Sequence, residues 1–336
     1  MGFEFSPLVD YYGRAHTYLR ISVTDRCNLR CIYCVPHDGD KPISRPELLS
    51  FAEIIHLARL FAGMGVTKVR LTGGEPLLRE NIEHLVGELA CLPGIQAVGM
   101  TTNGVLLKEK LPHLKAAGLK LLNISLDTLK PERFERIAQR DLYHKVREGL
   151  DQALENGFFP LKLNTVIKRG MNDNEIMDFV ELARKKPVHI RFIEYMPFRS
   201  NQWQPDDFVS AGEIKSMIER KYRLLSQPQE DDGTNDSRVA KNFRIDGFCG
   251  TVGFITPLSD NFCRYCNRLR LTADGNLKLC LYHPEEINLR SPLRTGVSDF
   301  ELARLIRSGL EKKPLIHPAV EALNEQEDRT MIEMGG

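Results

Sequence analysis

Six runs rich in apolar and β-branched residues, YLRISVT, VTKVRLTGG, AVGMTTNG, LKLLNISLD, LKLNTVIK and VHIRFIEYM, recur between residues 18 and 196. Most of the intervening stretches place apolar residues at helical spacing, most clearly LLSFAEIIHLARLFAGMG, which Gly63 and Gly65 end. A further helix begins at PERFERIAQ, with Pro131 at its first position and Glu132 in its first turn. Strand then helix, six times over, predicts parallel strands joined by right-handed crossovers, either barrel-like or an open α/β sheet. Chemistry in such folds gathers where the strands end. The short motifs fall there: CNLRCIYC after the first run, GGEP after the second, TNG after the third, SLD at the fourth and MP after the sixth.

From about Asp206 the pattern changes. A helix in AGEIKSMIERKY leads into the polar run QPQEDDGTNDS, expected as an exposed loop. After it, RVAKNFRI and GTVGFITPLS are predicted as strands, RLRLTADGNLKLCLY as a hairpin turning at Asp274 and Gly275, and FELARLIRSGL as a helix. The expected division is a larger region over 1–235 and a smaller α+β region over 236–336.

Composition narrows the setting. A chain of 336 residues with 42% hydrophobic and 27% charged residues can bury a substantial core. Its 46 Lys and Arg balance 45 Asp and Glu, so no global basic field exists for nucleic acid or an anionic membrane, and any anion site must be local. No apolar stretch approaches the ~20 residues of a membrane helix, and MGFEFSPLVDYYGR lacks the apolar core of a secretory signal, so a cytoplasmic protein is expected. That start also matches the myristoylation pattern at Gly2 and Ser6, a pattern too short to carry a conclusion.

Eight cysteines in a reducing compartment point to ligand or redox roles before disulfides. Cys27, Cys31 and Cys34 form one set and Cys263, Cys266 and Cys280 another, while Cys91 and Cys249 are expected to be small buried side chains. Zinc is one reading of each set, because His37 follows Cys34 by three residues and His283 follows Cys280 by three. The other is an iron-sulfur cluster, in which three thiolates leave one iron open to an amine and a carboxylate such as those of S-adenosylmethionine.

CxxxCxxC with Tyr33 before its last cysteine, followed by TGGEP at the next strand end, resembles the radical S-adenosylmethionine enzymes. YLRISVTDRCNLRCIYC, KVRLTGGEPLLR, TTNG, ISLDTL, RFIEYMPF, FCRYCNRLRLTADGNLKLCL and a terminal Gly-Gly together resemble, along nearly the whole chain, the GTP 3',8-cyclase family of molybdenum-cofactor biosynthesis. That resemblance implies an incomplete (βα)6 TIM-like barrel that the smaller C-terminal region closes. It implies two [4Fe-4S] clusters, one on each cysteine set, the second with its open iron facing the purine of GTP. S-adenosylmethionine would then contact Tyr33, Gly74, Ser125 and Met196, of which Met196 and Ser125 would otherwise pass for a core residue and a strand-end hydroxyl. GTP would contact Arg20, Arg70, Thr101, Lys162, Arg191, Arg268 and Arg270, and either Thr101 or Thr102 could equally be a turn residue. The residues themselves suit this, since a near-neutral protein needs converging cations to hold a triphosphate, and Arg268 and Arg270 share one strand face.

The implied reaction is radical cyclisation of GTP to (8S)-3',8-cyclo-7,8-dihydroguanosine 5'-triphosphate. It proceeds by hydrogen abstraction at the ribose 3' carbon and attack on C8, with no assigned general acid or base. The tail glycines Gly335 and Gly336 would thread into the cavity. An external electron donor such as flavodoxin or ferredoxin, transfer of product to cyclic pyranopterin monophosphate synthase, and a homodimer belong to the same expectation. Two other readings stand beside it: a radical S-adenosylmethionine peptide maturase with an auxiliary cluster, and a zinc-stabilised protein without catalysis.

Overall fold

The computed structural model describes residues 5–34, 43–158, 161–198, 201–227, 239–324 and 329–335. Gly2, His37, Gly336 and most of the QPQEDDGTNDS run lie outside these residues. The predicted runs form β1 (Tyr18–Ser22), β2 (Lys68–Thr72), β3 (Ala97–Thr102), β4 (Leu121–Ser125), β5 (Leu161–Ile167) and β6 (Val188–Glu194), paired in parallel in chain order. The helices between them are α1 (Phe51–Gly63), α2 (Ile82–Ala90), α3 (Leu107–Ala116), α4 (Pro131–Ala138), α5 (Tyr143–Glu155) and α6 (Ile176–Lys185).

Local chemistry explains α1. Ser50 and Glu53 form a reciprocal capping box, with Glu53 N donating to Ser50 Oγ at 3.2 Å and Ser50 N donating to Glu53 Oε2 at 2.7 Å. Ile54, Leu57, Ala58 and Phe61 then share one buried face. On β2, Val69 and Leu71 join the hydrophobic core while Arg70 and Thr72 line a cavity on the opposite face. Burial of each such aliphatic side chain contributes about 1.5–3 kcal/mol.

The chain after β6 does not form a separate sheet. Helix α7 (Ala211–Glu219) is followed by β7 (Leu225–Ser226), β8 (Ala240–Arg244) and β9 (Thr251–Ile255), and β9 pairs in parallel with β6. Then β10 (Arg268–Leu271) crosses to the opposite edge and pairs in parallel with β1, extended by β11 (Asn276–Lys278) and β12 (Glu286–Asn288). One twelve-stranded sheet results, and the C-terminal region supplies strands to both of its edges. The chain ends in α8 (Arg290–Arg294), α9 (Asp299–Leu310), α10 (Val320–Asn324) and α11 (Met331–Met334). Among the described residues no helix is long and apolar enough to cross a membrane.

The expectation for the two remaining cysteines is corrected, because Cys91 and Cys249 are exposed. Cys91 caps the C-terminus of α2, and Cys249 lies in the turn between β8 and β9, so the chain is leaving the core at each position.

Candidate active site

Sheet register brings the cations together. Arg20 on β1 lies between Arg70 on β2 and Arg270 on β10, Cα partner to each, while Tyr18 one row below pairs with Lys68 and Arg268. Side chains at positions of one parity point to one face, so the rows face a common interior. Arg70 donates to Tyr18 Oη at 2.6 Å and to Met100 O at 2.9 Å. Burial, then the charges of Arg20 and Arg268, hold the Arg270 guanidinium well below its usual value. An anion placed among these groups would relieve that repulsion.

The interior is a cavity of about 290 Å³ whose walls include Arg20, Arg70, Thr101, Arg191, Arg268 and Arg270, together with Tyr33, Gly74, Ser125 and Met196. All six cysteines of the two sets line it. Lys162 is buried on β5, its Cα paired with those of Asn123 and His189, and is not among the wall residues. Gly335 has φ +75° and its carbonyl accepts from Arg270 Nη1 at 3.0 Å. A Cβ there would lie 2.5 Å from Thr72 Oγ1, so only glycine fits the pass between β1 and β2.

The first cysteine loop rests on neighbouring strand ends. Its backbone is tied to the end of α4, with Arg30 N donating to Ala138 O at 2.9 Å and Ile32 N to Ile137 O at 3.1 Å. Tyr33 donates its hydroxyl to Asp127 beyond β4, and burial pushes that carboxyl up to about 6 against the lowering effect of the Tyr33 and Val166 hydrogen bonds. Gly74 sits where a Cβ would lie 2.3 Å from Arg26 O, which locks TGGEP against the segment entering Cys27.

Glu75, quoted in GGEP but given no role by the sequence, is fully buried and accepts from Thr102 Oγ1 at 2.7 Å, Asn103 N at 2.7 Å and Leu77 N at 3.0 Å. Burial raises it to about 7, the three donors opposing. Thr102 is thereby committed to the frame, whereas the Thr101 hydroxyl is buried in the cavity wall without a protein hydrogen-bond partner. Glu194, the last residue of β6, performs the same task, accepting from Ala211 N at 3.1 Å, Leu258 N at 3.0 Å and Ser259 N at 3.1 Å. Asn123, Asn164 and Tyr282 also line the cavity with unsatisfied oxygens, Oδ1 in each asparagine and the phenol in Tyr282. A single Asn or Tyr in an apolar run gives no distinguishing signal.

The cysteine sets suit a polynuclear cationic group. Burial, then the neighbouring Cys27 charge, pushes the Cys34 thiol up to about 12, and Cys31 is raised by burial and by Cys34. Bound cationic metal offsets that repulsion between thiolates. Among the described residues no three His, Cys, Asp or Glu side chains converge as the ligands of a single ion. His283, the fourth ligand on the zinc reading, is not among the wall residues.

A parallel strand-helix barrel with CxxxCxxC after its first strand and GGEP after its second defines a radical S-adenosylmethionine domain, a class that carries a [4Fe-4S] cluster and S-adenosylmethionine. The Radical SAM superfamily matches residues 21–183, and Molybdenum Cofactor Synthesis C matches residues 188–318. Streptococcus suis SuiB, solved bound to S-adenosylmethionine, shares the fold with a TM-score of 0.62 at 15% identity, over 94% of this chain and 76% of that one. The chain is 47% identical to the Moorella thermoacetica GTP 3',8-cyclase over 97% of its own length and 99% of that protein. It is also 47% identical to the mitochondrial GTP 3',8-cyclase of Arabidopsis thaliana, over 98% of this chain and 83% of that protein. Human Molybdenum cofactor biosynthesis protein 1 is 45% identical, and the chain spans 50% of that longer relative. The chain belongs to the GTP 3',8-cyclase family.

Proposed function

We propose that the chain converts GTP to (8S)-3',8-cyclo-7,8-dihydroguanosine 5'-triphosphate, the first step of molybdenum cofactor biosynthesis. The observation that carries this is a single cavity in which two cysteine triads flank a row of guanidiniums. That row favours a triphosphate over a peptide substrate, because forked donors pair with phosphate oxygens. Cys27, Cys31 and Cys34 hold the first [4Fe-4S] cluster, with Tyr33, Gly74, Ser125 and Met196 around S-adenosylmethionine. Cys263, Cys266 and Cys280 hold a second [4Fe-4S] cluster. When bound, the first cluster and S-adenosylmethionine would supply the radical chemistry directed at the ribose 3' carbon.

The protein's own residues bind, orient and exclude water. Arg20, Arg70, Lys162, Arg191, Arg268 and Arg270 carry the triphosphate and base, and the free hydroxyl of Thr101 is the threonine that meets substrate. Gly335, held by Arg270, closes the cavity beside the substrate, and the reaction requires both tail glycines, Gly335 and Gly336. The division of labour falls at 1–235 and 236–336. An external donor such as flavodoxin or ferredoxin supplies the electron, and product passes to cyclic pyranopterin monophosphate synthase. A cytoplasmic homodimer completes the reading. Anaerobic purification tests it: about eight irons with matching sulfide per chain and cyclised GTP formed only with S-adenosylmethionine and reductant are expected. Stoichiometric zinc without iron would overturn it.

A further inference from the structure

The second cysteine set is divided between two segments on either side of the β10–β11 hairpin, and two buried cations outside any motif bind the backbone of both. Val9 and Ala15 form an antiparallel bridge that closes a small hairpin ahead of β1. Inside it Asp10 Oδ1 accepts from Tyr12 N at 3.0 Å and Arg14 N at 2.9 Å, while Oδ2 accepts from Arg14 Nε at 2.6 Å. The guanidinium so aimed donates from Nη1 to the carbonyl of Cys263 at 2.7 Å and of Leu315 at 3.1 Å, and from Nη2 to Pro314 O at 2.8 Å. Lys313 donates to Arg268 O at 2.8 Å and to the carbonyl of Leu279, the residue before Cys280. Both Arg14 and Lys313 are buried.

Segment 313–315 is therefore tied to the Cys263 turn through Arg14 and to the Cys280 strand end through Lys313. A cluster demands a fixed separation between ligands on two such segments, and groups outside the ligand shell set that separation. Two buried positive charges also offset the net negative charge of a cubane held by three thiolates. The first set sits on a single loop, anchored to α4 through Arg30 and Ile32 and to Asn103 beyond β3 through Cys27 and Asn28.

We propose that Arg14, aimed by Asp10, is a positioning residue for the second cysteine set, and that the N-terminal hairpin is the clasp that retains the second cluster. This rests on the second-cluster reading above. The test compares the full chain with Arg14→Lys, Arg14→Met and Asp10→Asn after anaerobic purification. The readouts are iron and sulfide per chain, the electron paramagnetic resonance of the reduced protein, and reductive cleavage of S-adenosylmethionine. Arg14→Met is expected to fall from about eight to about four irons per chain and lose one of two cluster signals, while cleavage at the first cluster persists. Arg14→Lys, which keeps the charge and loses the fork, should retain more iron than Arg14→Met.

Should Arg14→Met not fold, the milder Asp10→Asn serves, with iron loss to a chelator followed in time. The second set should then release iron about tenfold faster than in the unmodified chain, the low end of the effect of removing support around a metal site, and the first set at an unchanged rate. Full iron with both signals in Arg14→Met, or equal acceleration at both sets in Asp10→Asn, overturns the clasp. About four irons in the unmodified chain would instead overturn the second-cluster reading.

Discussion

The two cysteine triads line one cavity but are built differently. Cys27, Cys31 and Cys34 lie on one loop, and the ionisable groups that frame it are the buried acids Glu75 and Asp127. Cys263, Cys266 and Cys280 come from two segments, and the groups around them are Lys313 and Arg268. Burial alone would raise the Cys266 thiol, but those two cations bring it down to about 6, against about 12 for Cys34. A compact motif can be shaped by its own loop and by the strand ends beside it. A split motif must be assembled by groups from elsewhere, here from both ends of the chain.

Substituting one ligand in each set probes this contrast most strongly. Cys31→Ala should abolish reductive cleavage of S-adenosylmethionine, while Cys266→Ala should leave uncoupled cleavage and no cyclised GTP. Chromatography of 5'-deoxyadenosine and nucleotide products separates the cases, and product formed by Cys266→Ala would remove the functional difference between the sets.

Gly335→Ala should act on the Arg270 side alone. Its methyl would overlap Thr72 Oγ1, so GTP cyclisation should collapse, while iron content and the thermal midpoint hold because the tail lies at the chain end. Equal GTP turnover in the variant would mean that the tail packs in the cavity without serving the reaction.

The acid frame of the first set is probed by a pair of neighbours. Thr102→Val should destabilise the fold by about 1–3 kcal/mol, since it removes a donor from buried Glu75, whereas Thr101→Val should leave stability alone and weaken GTP binding. Denaturant midpoints and calorimetric titration decide, and reversed results would exchange the two roles.

A further expected effect concerns acid. Burial first, and the Lys313 charge second, hold His16 down to about 4, against 6.5 for an ordinary imidazole. The unfolded chain takes up this proton first, so the contribution is complete above pH 6.5. It falls by about 1.4 kcal/mol for each pH unit as acid approaches pH 4. Replacing His16 with Gln should flatten the stability profile over that window. An unchanged slope between pH 6.5 and 5 would remove the hairpin from the acid response.

Much of the molecule was legible in the sequence because its signals are local. A run of alternating or continuous apolar residues bounded by glycine specifies a strand within a few residues of itself, and the six barrel strands fall where the pattern places them. CNLRCIYC and GGEP are similarly self-contained, since the spacing of thiols and glycines within one loop already carries the chemistry.

Tertiary structure decided whatever depends on which distant residues become neighbours. Alternation predicted β10 but not its place beside β1, and it is this register that sets Arg270, Arg20 and Arg70 in one row. Thr101 and Thr102 are the same side chain in the same motif, and only the Glu75 carboxylate committed to one of them tells them apart. Cys91 and Cys249 pass for core residues until the chain is seen leaving the core at both. Asp10, Arg14 and Lys313 look like solvated charges, because a charged residue in a turn usually is one. Burial of Arg14 and Lys313 against carbonyls remote in sequence is a property of the packed chain, with no trace in the residues on either side.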